Sequence, residues 1–180
     1  DYKIPFWMNT RAETMTEYRA ASLEEMNMLR MNIGIEHGNY EYRKNYLKRV
    51  VTNELQIKAF EMVADKKYTS VANSIIGMPD ETRDLIFDTI NLIRKLPKTI
   101  DATGAFIFAP YHGTPLRDMA VKKGYIKEDE IASVSNTAYH SMLKMPTISQ
   151  EEISGLARVY SFYVKFPESR WDEIKVAEKN

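Results

Sequence analysis

Residues 74–87 read "SIIGMPDETRDLIF", and this stretch decides the fold. An apolar run stops at Gly77, a Pro-Asp turn follows at once, and a helix then opens with acidic residues. A strand that turns directly into a helix is the building unit of a parallel α/β sheet, because parallel strands need a crossover connection. Ligands bind such sheets at the carboxyl ends of the strands. The stretch therefore predicts one strand–helix unit with a ligand-binding corner.

The same pattern recurs on both sides of this corner. Apolar runs of strand length, one of them alternating with period two, predict strands at 5–10, 29–35, 68–77 and 101–110. Apolar stripes and end signals predict helices at 14–27, 41–49, 52–67, 81–96, 114–124, 149–166 and 169–179. The predicted N-terminal caps of the first, third and fourth of these helices are Thr14, Asn53 and Asp80. The fold class is therefore α/β, with about four parallel strand–helix units followed by C-terminal helices.

The sheet predicted here is incomplete. Four parallel strands leave two open edges, which proteins normally cover or avoid. A closed eight-unit barrel needs about 250 residues, and the chain has 180. The alternatives are a small open sheet or part of a larger barrel-like sheet, and the very early first strand favours the second. We divide the chain into residues 1–124, the barrel part, and residues 125–180, a helical extension.

Composition narrows the function classes. The 25 basic and 25 acidic residues balance, with no block of like charge, so nucleic-acid binding is not indicated. No apolar run approaches the roughly 18 residues of a membrane span, and no signal peptide is visible, which predicts a cytoplasmic protein. The chain has no cysteine and its three histidines are far apart. Neither a disulfide nor a metal site made by this chain alone is predicted.

Polar residues and glycines gather where the predicted strands end. The candidates are Thr10, Arg11, Glu13, Glu36, His37, Asn73, Gly77, Tyr111 and His112. Asn73 lies inside an apolar strand, and a buried amide must be hydrogen-bonded, so a ligand is one obvious partner. Each candidate also has a plainer interpretation, since Glu36 could face solvent, Arg11 could form a surface ion pair, and the histidines could be ordinary loop residues. Their joint occurrence at four successive strand ends favours a shared site.

Four blocks of the sequence, in order, resemble the second half of a radical S-adenosylmethionine (SAM) enzyme core. They are "IPFWMNTRAETMT", "MNIGIEHGNYEYRKNYLKR", "NSIIGMPDETRDLIFDTI" and "FIFAPYHGTPLRDMAVKKGYI". Their wording is similar to the class with an N-terminal cobalamin-binding domain. The resemblance implies part of a (β/α)6 TIM-like barrel that binds SAM at its rim over a [4Fe–4S] cluster. It also implies a 5′-deoxyadenosyl radical that abstracts hydrogen from substrate and, in cobalamin-dependent members, methyl transfer.

The resemblance also assigns roles to residues of this chain. Glu36 would bond the ribose or amino acid part of SAM, and Arg43 would bind its carboxylate. Ile75 would pack on adenine, Gly77 would allow the close turn, and the strand end 107–111, with Pro110 and Tyr111, would contact adenine through its backbone. The residues expected to face SAM or substrate are Thr10, Arg11, His37, Asn73, Tyr111 and His112. Glu81 is predicted to be structural, as an acid in the first turn of a helix.

The chain departs from the family pattern in several places. The chain lacks the family's three-cysteine loop, the motif of the family's second barrel strand and the cobalamin domain. The motif of the family's fifth barrel strand begins with Gly, and this chain has Asn73 or Ser74 at that position. We interpret the chain as a segment of a longer enzyme whose cluster ligands lie elsewhere, and which is inactive without the N-terminal half of the barrel. The alternatives are a self-contained module that binds a nucleotide or another subunit, and a scaffold segment. The substrate, a small molecule or otherwise, has no motif here.

Overall fold

All strands of the sheet run in one direction and follow each other in chain order. The computed structural model of the protein describes residues 4–102, 104–133 and 140–179. The strands are β1 (Phe6–Arg11), β2 (Met28–Glu36), β3 (Thr69–Ile76) and β4 (Ala105–Ile107). Each pairs in parallel with the next, in the order β1-β2-β3-β4. The predicted parallel α/β sheet is confirmed.

Helices connect the strands and cover one face of the sheet. They are α1 (Glu17–Glu25), α2 (Tyr40–Tyr46), α3 (Asn53–Glu61), α4 (Arg83–Ile93), α5 (Pro115–Lys122), α6 (Gln150–Lys165) and α7 (Trp171–Glu178). Short 3-10 helices lie at Ala12–Thr14 and Glu168–Arg170. None of the helices in the described ranges is long and apolar enough to cross a membrane.

The N-terminal caps of α1, α3 and α4 are threonines, and they are not the residues that the sequence predicted. Thr16, Thr52 and Thr82 precede α1, α3 and α4, and each side chain accepts a hydrogen bond from the backbone N–H three residues on. The predicted caps Thr14, Asn53 and Asp80 are therefore wrong. Each of these threonines lies one or two residues from the predicted cap, in extended backbone that places its hydroxyl over the free N–H groups.

Side chains along each strand alternate between a covered face and an open face of the sheet. In β2, Met31, Ile33 and Ile35 are fully buried, whereas the residues between them are partly exposed. We call the other side the open face; it carries Trp7, Asn9, Arg30, Asn32, Asn73, Ile75 and Phe106. Register confirms the assignment, because Ile75 pairs with Phe106. The period of two residues along a strand produces this division.

The last strand is shorter than the predicted 101–110. Only Ala105–Ile107 form β4, with an isolated bridge between Val71 and Asp101 before it. Residue 103 lies outside the described residues. Gly104 weakens the pairing on one side, and Pro110 has no N–H to continue it on the other. The chain therefore leaves the ladder early and turns toward α5.

The C-terminal helix α6 packs against the covered face of the sheet, and α7 packs against α6. Tyr160 and Tyr163 of α6 are fully buried, and Trp171 of α7 meets Tyr163 edge to face at 5.4 Å. Tyr160 and Tyr163 therefore belong to the core, and the partly buried Trp171 packs against it. Phe162 and Phe166, in contrast, are 45% and 41% exposed. These two residues are one helical turn apart and share the solvent side of the helix end.

Candidate functional site

A largely apolar cleft of ≈ 1050 Å³ lies at the carboxyl ends of β3 and β4. Its walls are Asn45, Tyr46, Leu47, Lys48, Ile75, Ala105, Phe106, Ile107, Phe108, Ala109, Tyr111, Thr114, Pro115, Leu116 and Met119. The cleft has the size of a small-molecule pocket, for which about 300–1000 Å³ is usual. It brings together the predicted residues Ile75 and Tyr111. Pro110 lies just behind them, and its carbonyl accepts a hydrogen bond from Arg117 Nη1 at 2.9 Å.

The turn after β3 is held by a buried carboxylate. Glu81 Oε2 accepts hydrogen bonds from the backbone N–H groups of Gly77 at 2.5 Å and Met78 at 3.1 Å. Gly77 has φ +78°, and a Cβ there would lie 3.0 Å from Ile153. Glu81 is structural, as predicted, but it lies before α4 and not in its first turn. Its role is to fix the backbone of the turn.

His37 is the buried partner of Glu81. The two side chains are 0% exposed, and His37 Nε2 lies 3.1 Å from Glu81 Oε1. His37 Nδ1 accepts a hydrogen bond from the N–H of Asn39 at 3.0 Å, which leaves the proton on Nε2. Burial raises the pKa of Glu81, while His37 and the backbone N–H groups oppose that rise. The prediction that His37 faces a substrate is therefore wrong.

Arg43 is also enclosed. Its side chain is fully buried and donates hydrogen bonds to the carbonyl oxygens of His37 and Val51 and to Asn53 Oδ1. These acceptors tie α2 to the start of α3. Because the guanidinium has no open side toward the rim, the expected contact with the SAM carboxylate is not supported by its position.

Glu36 occupies the end of β2 in an unusual backbone conformation. Its φ is +64°, and the register with β3 shifts between Gly34 and Glu36. This bulge folds the side chain back over Gly34, where a Cβ would overlap the carboxylate. Burial raises the pKa of Glu36, and Arg49 and Arg11 act in the opposite direction. The carboxylate keeps a side-chain exposure of 34%, so a ligand can reach it.

Arg49 anchors this part of the rim. It donates to Glu13 Oε1 and Oε2 at 2.8 and 2.6 Å and to the carbonyl of Gly34 at 2.8 Å. Its Nη1 lies 3.8 Å from Glu36 Oε1. The hydrogen bond from Arg49 lowers the pKa of Glu13. Sequence reasoning missed Arg49, although it ends the "LKR" run of the second block.

Of the other predicted residues, two lie at the rim and two lie beside separate pockets. Asn73 is partly exposed on the open face, beside Gly34 and Arg11 in register, and its amide makes no hydrogen bond within the described residues. Arg11 is exposed and has no ion pair among those residues. Thr10 points toward α1 and bonds Thr14 at 2.8 Å, and His112 borders a separate pocket beside Arg117. Thr10 and His112 therefore do not join the cleft.

A cluster with four members adjoins the cleft at Asp80. Its carboxylate accepts hydrogen bonds from Tyr46 Oη at 2.8 Å, Tyr125 Oη at 2.6 Å and Lys123 Nζ at 2.5 Å. Burial would raise the pKa of Asp80, but these three donors hold it below its ordinary value. Tyr46 thereby becomes a fixed part of the cleft wall, which no sequence motif indicated.

The donor atoms of this chain do not fit an iron–sulfur cluster. The sequence contains no cysteine. In the described part of the chain, no three His, Asp or Glu side chains are grouped as metal ligands would be. The apolar cleft with polar residues at its edge fits instead an organic ligand that has an apolar ring and a polar end.

The parallel sheet and the helices that connect its strands define an α/β segment of the TIM-barrel-like class. Residues 1–93, more than half of the chain, match the model of the Radical SAM superfamily. The chain belongs to the radical SAM superfamily. The resemblance seen in the four sequence blocks is confirmed.

Two relatives share part of the sequence. An uncharacterized methyltransferase of Pyrococcus horikoshii is 26% identical over 164 residues, which cover 90% of this chain and 35% of that protein. The tRNA-2-methylthio-N(6)-dimethylallyladenosine synthase of Halalkalibacterium halodurans is 27% identical over 92 residues, 49% of this chain and 16% of that protein. The chain thus spans about a third or less of the length of these relatives.

Solved structures share the fold. The radical SAM methyltransferase TsrM from Kitasatospora setae, with tryptophan substrate and a SAM analogue, matches 67% of this chain and 23% of that chain (TM-score 0.54, 18% identity). TsrM with cobalamin and a [4Fe–4S] cluster matches 98% and 44% (TM-score 0.53, 13% identity). Elp3 from Methanocaldococcus infernus matches 66% and 28% (TM-score 0.53, 21% identity). The parallel sheet is therefore an arc of a TIM-barrel-like fold, as predicted.

Proposed function

We propose that this chain forms the SAM-binding part of a radical SAM enzyme. The observation that carries the proposal is the cleft, because Ile75 lines it together with four residues of the strand end 107–111, namely Ile107, Phe108, Ala109 and Tyr111. These are the positions at which the sequence resemblance places adenine. The superfamily match supports SAM as the ligand. The apolar walls of the cleft support its purine ring as the part that enters.

The polar part of SAM would extend along the rim toward β2 and β1. Three neighbouring strands each carry one polar residue at this rim: Asn73 on β3, Glu36 on β2 and Arg11 on β1. Each of these side chains has polar atoms that a ligand can reach. Glu36 would accept a hydrogen bond from the ribose or the ammonium group. Arg11 takes the place expected of Arg43 as partner for the carboxylate, because it is exposed and unpaired among the described residues.

The reaction needs parts that this chain does not supply. SAM, when cleaved reductively at a [4Fe–4S] cluster, supplies the radical chemistry of such enzymes. The cluster ligands are thiolates, so they belong outside this cysteine-free chain. We assign to this chain the binding and orientation of SAM, and to the free edge of β1 the pairing with the rest of the barrel. Methyl transfer with cobalamin is our proposed reaction, supported by the methyltransferases among the similar proteins.

Calorimetric titration of the full-length protein with S-adenosylhomocysteine tests the proposal. Phe106→Ser removes an aromatic wall of the cleft, whereas Trp7→Ser removes a comparably exposed ring at the opposite end of the open face; the two are 63% and 70% exposed. We expect Phe106→Ser to raise Kd about tenfold and Trp7→Ser to leave it unchanged. Absence of binding by the wild type, or an equal loss in both variants, would overturn the proposal.

A further inference from the structure

A stack of three rings ends at the cleft. The ring of Tyr46 lies 4.2 Å from that of Tyr42 with an interplanar angle of 1°. Tyr42 in turn stacks on the buried His37 at 4.2 Å and 18°. Tyr46 is the outermost member, is partly exposed and lines the cleft. Because one of its faces is covered by Tyr42, only its opposite face or its edge is available to a ligand.

The orientation of the Tyr46 ring is set from both ends. The stack holds the ring plane, and the hydroxyl donates to Asp80 Oδ2 at 2.8 Å. Asp80 is itself fixed by Tyr125 and Lys123. A ring that is already oriented loses little conformational freedom when a ligand binds. Because the Tyr46 hydroxyl is already hydrogen-bonded to Asp80, the part of the side chain that can contact a ligand is the aromatic ring.

We propose that Tyr46 is the aromatic platform on which the adenine ring of SAM stacks, with Asp80 as its positioning residue. This inference rests on the proposed function and adds to it the part of the chain that recognises the base. Ile75 lines the same cleft from β3 and supplies an apolar wall, while Tyr46 supplies an aromatic one from the end of α2. Planar rings gain from offset stacking beyond the area that they bury.

The test compares Tyr46→Leu, which removes the platform, with Tyr46→Phe, which keeps the ring and loses only the hydroxyl. Tyr125→Phe is the matched control, because Tyr125 donates to the same carboxylate but does not line the cleft. Affinity for S-adenosylhomocysteine is measured by calorimetry on the full-length protein, with a thermal unfolding curve for each variant. We expect Tyr46→Leu to weaken binding about five- to tenfold. Tyr46→Phe keeps the ring but loses its bond to Asp80, so it should weaken binding only about two- to threefold, and Tyr125→Phe, which leaves that bond in place, should stay within about twofold of the wild type.

Rescue by phenylalanine separates a stacking role from a structural one. If Tyr46→Leu binds as tightly as the wild type, or if Tyr46→Phe loses as much affinity as Tyr46→Leu, the platform is ruled out. The failure of this inference is distinguishable from failure of the proposed function. In the first case Phe106→Ser still weakens binding; in the second the wild type does not bind the ligand at all.

Discussion

His37 and Glu81 face each other in the interior, with 3.1 Å between Nε2 and Oε1 and no exposure of either side chain. One residue follows β2 and the other precedes α4, so the pair joins two successive strand–helix units just beneath the rim. Glu81 also holds the N–H groups of the turn after β3. The pair is therefore a structural joint behind the candidate site.

Glu81→Gln tests how the buried carboxylate affects stability. Burial raises the folded-state pKa of Glu81 above its unfolded value, so folding takes up a proton between the two pKa values. The contribution of this group to the free energy of unfolding must then fall as pH rises through that window. We expect the stability of the wild type relative to Glu81→Gln to decrease from acidic to neutral pH, measured by urea unfolding. An increase would mean that the bonds to the ionised carboxylate outweigh its burial.

Arg43→Met should destabilise the fold and not act on ligand binding alone. The substitution leaves the buried carbonyl oxygens of His37 and Val51 without their donor. We expect the free energy of unfolding to drop by on the order of 3 kcal/mol. The exposed neighbour Lys44 supplies the control, and Lys44→Met should stay within about 0.5 kcal/mol of the wild type. Unchanged stability together with lost S-adenosylhomocysteine binding would restore Arg43 as a ligand contact.

Gly38→Ala should disturb the packing of the loop after β2 against α4. A Cβ at Gly38 would lie within 3.0 Å of the backbone of Asp88 and Thr89, which cannot move without shifting the helix. We expect a loss of about 1–3 kcal/mol of unfolding free energy. Gly104→Ala is the comparison, because nothing lies within 4 Å of a Cβ there. Equal effects in the two variants would show that α4 does not approach Gly38 this closely.

Glu36→Gln should alter the pH dependence of ligand binding. Burial raises the pKa of Glu36, and the ionised carboxylate is the form that accepts hydrogen bonds from ribose or ammonium. Affinity for S-adenosylhomocysteine should therefore weaken as pH falls through this raised pKa, and the slope should flatten in Glu36→Gln. Glu41→Gln, on the exposed side of α2, serves as the control. An identical pH profile in wild type and Glu36→Gln would exclude Glu36 from the site.

Strands and rim were predictable because local pattern determines them. The alternation of Met31, Ile33 and Ile35 with polar residues specifies one buried face, whatever the rest of the chain does. Parallel strand ends must then meet at one edge, which is why Ile75 and Tyr111 could be placed together. The predicted fourth strand, 101–110, was too long, because an apolar run does not show where the hydrogen bonds to the neighbouring strand stop.

The direction of side chains at the rim was not predictable. His37 and Arg43 carry polar groups that suit a ligand, but each finds its partners inside the protein, in Glu81, Val51 and Asn53. Those partners are distant in sequence or belong to the backbone, so spacing gives no sign of them. Tyr46 was overlooked for the same reason, since its role depends on Asp80 from another unit.

The crystal structure of the full-length protein with S-adenosylhomocysteine tests the central claim most directly. We expect the purine in the cleft, within van der Waals contact of Ile75 and beside Tyr111, with the amino acid part directed along the rim toward Glu36. A ligand bound elsewhere in the protein, with this cleft filled by its own polypeptide, would contradict the account.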